Sequence, residues 1–230
     1  MNYFHWNETI ITDFSEKNIA DMYDHGYVFT RIGKGVMHQT RSVRVDLAKF
    51  ELTSENRRVL KKANIGLIPI KLPLDDYDYV IGKSGKDFYE KKFGAGIMSA
   101  QKIKEMLTDM SKSNFNTVLR YSELVAGEIV GHAICYMDKS IMHYSYPFYD
   151  LKASKDMGLG MMTTAINFAQ EQGLRYVYLG SLQRPGDTYK LQFEGLEWFD
   201  GGPPAGGEGS GKWQTDIEVA KKIILHSTCA

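Results

Sequence analysis

Cysteine is nearly absent from this chain of 230 residues: Cys135 and Cys229 are the two present. At that separation they form neither a metal-ligand spacing nor a disulfide framework, which implies a reducing compartment and a cytoplasmic protein. No pair among the six histidines has H-x-x-x-H spacing, so no metal site is expected. No apolar run approaches the roughly 20 residues of a membrane span, and no membrane partner is expected. The opening "MNYFHWNETIITDF" is polar and acidic and lacks the basic and apolar regions of a signal peptide. No internal repeat is visible. Charge of one sign is also missing, with 28 Lys and Arg against 28 Asp and Glu.

What is there is enough for a folded core, since 43% of the residues are apolar. The charge is balanced only in total. Residues 1–30 carry a net −4, residues 31–112 a net +7, and residues 113–230 a net −3. A basic middle suits a polyanion such as RNA or a CoA phosphate, or forms an ordinary solvated lysine face.

Periodicity places strands at "YVFTRIG", "RSVRVDLAKF" and "NIGLIPIKL". "TSENRRVLKKA" reads as a helix capped by Thr53 or Ser54; "SGKDFYEKKFG" and "SAQKIKEMLTDMSKS" are two more helices. "FNTVLRYSELVAGEIVGHAICYMD" is a hairpin and "IMHYSYPFYD" a strand. Gly158 to Gln172 is a helix ended by Gly173, and "LRYVYLG" a further strand. "YKLQFEGLEWFDG" reads as one extended piece. "GGPPAGGEGSGK" is a glycine- and proline-rich loop, and "TDIEVAKKIILHS" a closing helix with Thr215 and Glu218 as a capping box. The order gives a mixed α/β fold: a meander sheet with one crossover helix.

The crossover opens with Lys155-x-x-Gly158-x-Gly160. A glycine turn between strand and helix can present backbone N–H groups and the positive helix end to an anion, or can serve close packing. The pattern resembles the phosphate-cradling loop of the GCN5-related N-acetyltransferases, which implies that fold and acetyl-CoA as a donor. A second resemblance is more specific. Phe148-Tyr149-Asp150, Met157-Gly158-Leu159-Gly160 and Tyr176-Val177-Tyr178-Leu179-Gly180 are similar to the C-terminal domain of arginyl-tRNA–protein transferases and bacterial aspartate/glutamate leucyltransferases. Ser42 to Ala63 resembles the family's stretch that ends in Arg-Arg. Residues 1–40 contain no cysteine, so any metal role of that family's cysteine-rich segment is not carried over.

The resemblance implies an N-terminal extension with strands at 1–52, an acyltransferase-like catalytic domain at 53–200, and a glycine/proline-rich loop with a C-terminal helix at 201–230. The implied donor is an aminoacyl-tRNA, with no further cofactor, and the implied acceptor is a protein N-terminus or peptide amine. Such a transfer must handle the amine proton, stabilise an oxyanion and protonate the leaving ribose oxygen. Asp150, at a strand end, is the candidate for the amine proton; its alternative is a turn residue. Tyr149, Tyr178 and Tyr144 are candidate donors to the oxyanion, the leaving oxygen or the substrate, against the alternative of packing groups with a wet tip. Arg57 and Arg58 offer planar forks for a carboxylate or phosphate, and Lys155, Gly158 and Gly160 would hold the donor. Cys135 reads as core. His132 and His143 have no nucleophile at triad spacing, so Ser/His or Cys/His hydrolysis is not supported. An acyl-CoA-dependent N-acyltransferase and a non-catalytic tRNA- or peptide-binding relative remain as alternatives.

Overall fold

A computed structural model describes residues 3–152, 156–201 and 211–226. Lys155 and residues 202–210 of the glycine- and proline-rich stretch lie outside them. The elements run β1 (Asn7–Ile10), α1 (Glu16–Asp24), β2 (Tyr27–Phe29), β3 (Val36–Gln39), β4 (Ser42–Asp46), α2 (Ser54–Ala63), β5 (Ile65–Lys71), α3 (Tyr79–Phe93) and α4 (Ala100–Thr108). Then come β6 (Thr117–Glu123), β7 (Ile129–Met137), β8 (Ile141–Tyr149), α5 (Met157–Glu171), β9 (Tyr176–Ser181), a 3-10 helix (Pro185–Gln192), β10 (Leu196–Asp200), β11 (Lys212–Gln214) and α6 (Ile217–His226).

The large sheet has the order β11-β10-β4-β9-β8-β7-β6-β5. Its neighbours are antiparallel except β8 and β9, which are parallel because α5 carries the chain across between them. This is the mixed α/β fold with one crossover that the sequence implies. β4, which precedes residue 53, is an interior strand of this sheet. A small sheet, β1-β3-β2, stands beside it.

Alternation along each strand sends side chains to two faces. Leu119, Cys135, Met142, Val177 and Leu179 face a core with Met161, Met162, Ala165, Ile166 and Ala169 of α5. Val118, Ile134, Ile141, Tyr176 and Tyr178 face the other, with Ile19 and Tyr23 of α1, Phe88 of α3, and Ile103 and Leu107 of α4. The sheet is therefore the middle of three layers. Each fully buried apolar side chain contributes about 1.5–3 kcal/mol, so these two faces dominate the favourable side of folding.

Local chemistry sets several boundaries. Thr53 accepts from the Asn56 N–H at 3.1 Å while Asn56 Oδ1 accepts from the Thr53 N–H at 3.2 Å, a reciprocal cap that starts α2. α3 begins at Tyr79, ahead of the helix read from Ser84, because Asp78 accepts from Val80 N–H at 3.0 Å. α6 is capped by Asp216, which accepts from Glu218 and Val219 N–H groups, and not by Thr215. The extended piece read over "YKLQFEGLEWFDG" divides at Phe193. Its first part is the end of the 3-10 helix, and only Leu196–Asp200 is a strand. Pro185 pre-sets the first turn there, and Asp187 Oδ2 accepts from the N–H groups of Gln183 (2.9 Å) and Arg184 (3.0 Å).

Candidate functional site

The parallel pairing of β8 and β9 covers three residue pairs: Ile141–Tyr176, Met142–Val177 and His143–Tyr178. There it stops, although β8 runs on to Tyr149 and β9 to Ser181. The cause is legible in β8. Against β7, Cys135 faces Tyr144 and Ile134 faces Tyr146, so Ser145 is an extra, unmatched residue. A bulge of this kind bends its strand and shifts the alternation by one. Hence Ile141 and His143 share a face with Tyr146 and Phe148, where strict alternation would oppose them. Pro147 then follows. A proline suits a strand that has lost one neighbour, because it cannot donate to a ladder. Beyond Ser145 the two strands diverge and leave a split in the middle of the sheet.

Aromatic and basic groups gather at the open end of this split. Tyr146 packs edge-on against Phe115 and lies 5.9 Å from the Arg31 guanidinium. Arg31 is held in place by donating to Ile97 O at 2.8 Å. Tyr89 is buried and donates to Pro147 O at 3.1 Å. The Tyr149 ring stands 4.8 Å from Phe88, and the Arg184 guanidinium lies 4.7 Å from the Phe93 ring. Gln183, just past β9, clasps the chain at Phe4: its Oε1 accepts from the Phe4 N–H (2.8 Å) and its Nε2 donates to Phe4 O (2.9 Å). That contact holds Tyr3 and Phe4, both more than a third exposed, beside the end of β9. Two surface concavities lie elsewhere. One of about 370 Å³ is lined by residues such as Lys49, Glu197 and Thr215, and one of about 190 Å³ by Tyr77, Tyr79 and Lys104.

The paired end of the split is closed by a buried polar cluster. Tyr23 OH and His143 Nδ1 share a hydrogen bond of 2.8 Å. Burial, helped by the charge of Lys190, pulls the His143 proton affinity down to about 3, so this imidazole is neutral at physiological pH. Tyr178 OH receives a bond from Arg44 (3.3 Å) and donates to Asp24 (3.4 Å). Arg44 also bonds Glu197 at 2.8 Å and is sandwiched between the Tyr176 and Trp213 rings, 3.9 Å from each centroid.

The residues singled out from the sequence scatter across this frame. Asp150 and Tyr149 stand together at the end of β8. Asp150 is exposed and accepts from Lys152 N–H at 2.9 Å in a turn. Tyr149 is half-buried and near Gly158, where an added Cβ would meet its hydroxyl at 2.9 Å. Tyr178 and Tyr144 do not meet. Tyr178 sits in the core on the α1 side, while Tyr144 sits on the α5 side with its hydroxyl buried and unpartnered among the described residues. Burial pushes both hydroxyls above the ordinary tyrosine range.

Gly158 and Gly160 both lie within the first turn of α5 and not in a loop before it. Gly160 donates to Asp156 O at 2.7 Å and lets α5 touch α2: an added Cβ would stand 2.4 Å from that of Ala63. Lys155 lies outside the described residues. Arg57 donates to Leu52 O, and the Arg58 fork is held by Glu55 with two bonds of 2.7 Å. Arg58 and Lys62 also reach Asp156, at 3.7 and 2.7 Å, so the basic helix is tied to the start of α5. Sequence reasoning missed Ser145, Arg31, Tyr146 and Lys190. Pro147 inside a strand was the signal for the first; the others are joined only by the fold.

No family model matches the chain. The chain is similar to a bacterial leucyltransferase. That relative is the aspartate/glutamate leucyltransferase of Ruegeria pomeroyi, 25% identical over 193 residues, which cover 80% of this chain and 66% of the relative. This chain thus spans just under two thirds of its relative's length. Among solved structures, the C-terminal domain of a putative lysylphosphatidylglycerol synthetase from Agrobacterium fabrum superposes with a TM-score of 0.46 at 14% identity, covering 76% of this chain and 55% of that one. The GCN5-related glucosamine N-acetyltransferase region of a fungal enzyme gives 0.45 at 9% identity, over 83% and 23%. FemX gives 0.43 at 10% identity, over 90% and 65%. Among the described residues no helix is long and apolar enough to cross a membrane.

Proposed function

We propose that this chain is an aminoacyl-tRNA-dependent aminoacyltransferase that forms an amide on the amine of a protein N-terminus or peptide. The observation that carries the reading is the split between β8 and β9, rimmed by aromatic and basic side chains, in a chain similar over most of its length to a leucyltransferase. Exposed rings such as Tyr3 and Tyr189 are platforms for an unpaired base. Arg31 and Arg184 are suited to phosphate or carboxylate.

In this scheme the 3′ end of the tRNA enters the split with its ester carbonyl between the strands. The acceptor amine attacks that carbonyl and forms the C–N bond. The ribose C–O bond then breaks, and the ribose oxygen takes up the proton that the amine gives away. Asp150 is the group at the strand end that receives the amine proton, directly or through water. Tyr149 stands beside it as the donor toward the leaving oxygen. Tyr178 and Tyr144 are packed into opposite cores and act by shaping the two strand walls.

The acyl-CoA alternative draws on the glycine pair. At that corner, however, Gly160 packs on Ala63, and Lys62 and Arg58 are ion-paired with Asp156 at the head of α5. The pairing leaves less positive charge for a pyrophosphate and favours the tRNA reading. The test is incubation with a set of radiolabelled aminoacyl-tRNAs, and separately with labelled acetyl-CoA, scored on peptides with different N-termini. Label transfer from at least one aminoacyl-tRNA is the expected result. Transfer from acetyl-CoA alone, or from neither donor, overturns the reading.

A further inference from the structure

The Lys190 side chain turns inward from the 3-10 helix and is buried, with 9% of the residue exposed. Its Nζ donates to Ser181 O, the last carbonyl of β9, at 2.9 Å. The one carboxylate oxygen within reach among the described residues, Asp187 Oδ1, is 4.0 Å away, too far for a hydrogen bond. Asp187 has a task of its own, since its other oxygen caps the 3-10 turn through Gln183 and Arg184. An ammonium carries three donors, and Lys190 spends one on the described protein. Leaving a cation buried with so little compensation is costly. Burial accordingly lowers the proton affinity of this amine, and Asp187 restores only part of it.

The position of the ammonium is as telling as its lack of partners. A Cβ on Gly180 would stand 3.9 Å from Nζ, and Gly180 holds a φ of +77°, so this side of the strand is kept clear of side chains. Gly180 and Ser181 belong to the stretch of β9 that has parted from β8. His143, whose proton affinity the Lys190 charge depresses, is the last residue of β8 to pair with β9. The ammonium thus stands where the two strands separate.

Resting on the transferase reading above, we propose that Lys190 is a catalytic residue whose two unused N–H donors bind the oxyanion formed in the split. As the acceptor nitrogen bonds to the ester carbon, the carbonyl π pair moves onto oxygen, which Lys190 holds. When the pair returns, the ribose C–O bond breaks, the ribose oxygen leaves with its electron pair, and it takes the proton released by the amine. Lys190 keeps its own proton throughout. A buried cation aimed at the place where negative charge develops is the arrangement that favours the transition state over the ground state.

The experiment is single-turnover transfer with Lys190→Met, which keeps the buried stem and removes the charge, and with Lys190→Gln, which keeps one neutral donor. Melting curves accompany both. The expected result is a fall of about 100- to 1000-fold in the transfer rate for Lys190→Met, a smaller fall for Lys190→Gln, and apparent affinities for charged tRNA and peptide within about threefold of wild type. The melting temperature of Lys190→Met should equal or exceed that of the wild type, because an ill-matched buried charge is gone. A rate within threefold of wild type overturns the proposal. So does a loss confined to tRNA or peptide affinity, which would make Lys190 an anchor for a phosphate or an acidic side chain. A fall in rate that tracks a fall in melting temperature across both variants reduces Lys190 to a tie for the 3-10 helix. If Lys190→Met does not fold, Lys190→Gln carries the same comparison. A wild-type protein that transfers from no donor removes the transferase reading and this role with it, an outcome distinct from an active wild type with an indifferent Lys190.

Discussion

Asp150 and Gly160 show how one side chain, or the lack of one, is tested at a single position. Asp150 accepts a turn bond from Lys152 N–H, and Asn accepts the same bond through its amide oxygen. Asp150→Asn therefore removes the charge and spares the turn. Transfer should fall about 100-fold or more, with the melting temperature unchanged, when rate and thermal unfolding are measured on the same preparation. Turnover within a few-fold of wild type would leave Asp150 a turn residue. Gly160 is the opposite case, because the structure gives it close packing, one of the two roles open to its motif. A methyl group there would stand 2.4 Å from the Ala63 Cβ. Gly160→Ala should destabilise the fold by about 1–3 kcal/mol in urea titration, and Ala63→Gly in the same chain should recover a good part of that. No recovery in the double variant would place the strain elsewhere.

Helices α2 and α5 are locked by that close contact and, at their edge, by Arg58 and Lys62 reaching Asp156. The basic helix has a second state available to it. Arg58 now gives its fork to Glu55 and would have to exchange that partner to meet a phosphate. Glu55→Gln weakens the competitor, so binding of tRNA should tighten several-fold, and the slope of log K against log salt should steepen by about one, measured by filter binding over a range of salt. An unchanged slope assigns this face to solvent. At the same scale the sequence was informative about what each element is, and less so about where it bends. The caps of α2 and the glycine that ends α5 were readable because both are local chemistry. The "YKLQF" stretch has an apolar alternation that suits a strand, yet Pro185 and the cap at Asp187 coil it. In β8 the letters "HYSYPFY" look like one strand, and only the partner strand reveals that Ser145 is unmatched. Register is a relation between two segments, so a bulge leaves a trace in one sequence only where a residue such as Pro147 tolerates nothing else.

Across the whole molecule the same limit governs the site. Arg31, Tyr89, Tyr146 and Lys190 come from four separate segments, and no spacing rule could have gathered them. Asp150 and Tyr149 were visible because they adjoin each other at a strand end. A property of the molecule as a whole is its response to acid, and two buried histidines on the sheet contribute to it with a definite sign. Burial lowers His143 to about 3, and burial with the charge of Arg120 lowers His132 to about 4. Above about pH 6.5 both are neutral in the folded and unfolded chain, and neither affects stability. As pH falls below that, the unfolded chain takes up protons that the native state refuses. Stability then declines by about 1.4 kcal/mol per pH unit for each histidine, until the native imidazole also protonates near pH 4 for His132 and near pH 3 for His143. His132 is the cleaner probe, because it stacks on Phe148 and its Nε2 is buried without a partner among the described residues. His132→Phe should leave stability at pH 7 equal or higher and flatten the decline between pH 6.5 and 4 by about 1.4 kcal/mol per pH unit, read from urea unfolding at a series of pH values. An unchanged slope would mean that His132 protonates in the native state as readily as in the unfolded chain, and that water reaches Nε2 through the layer of α3.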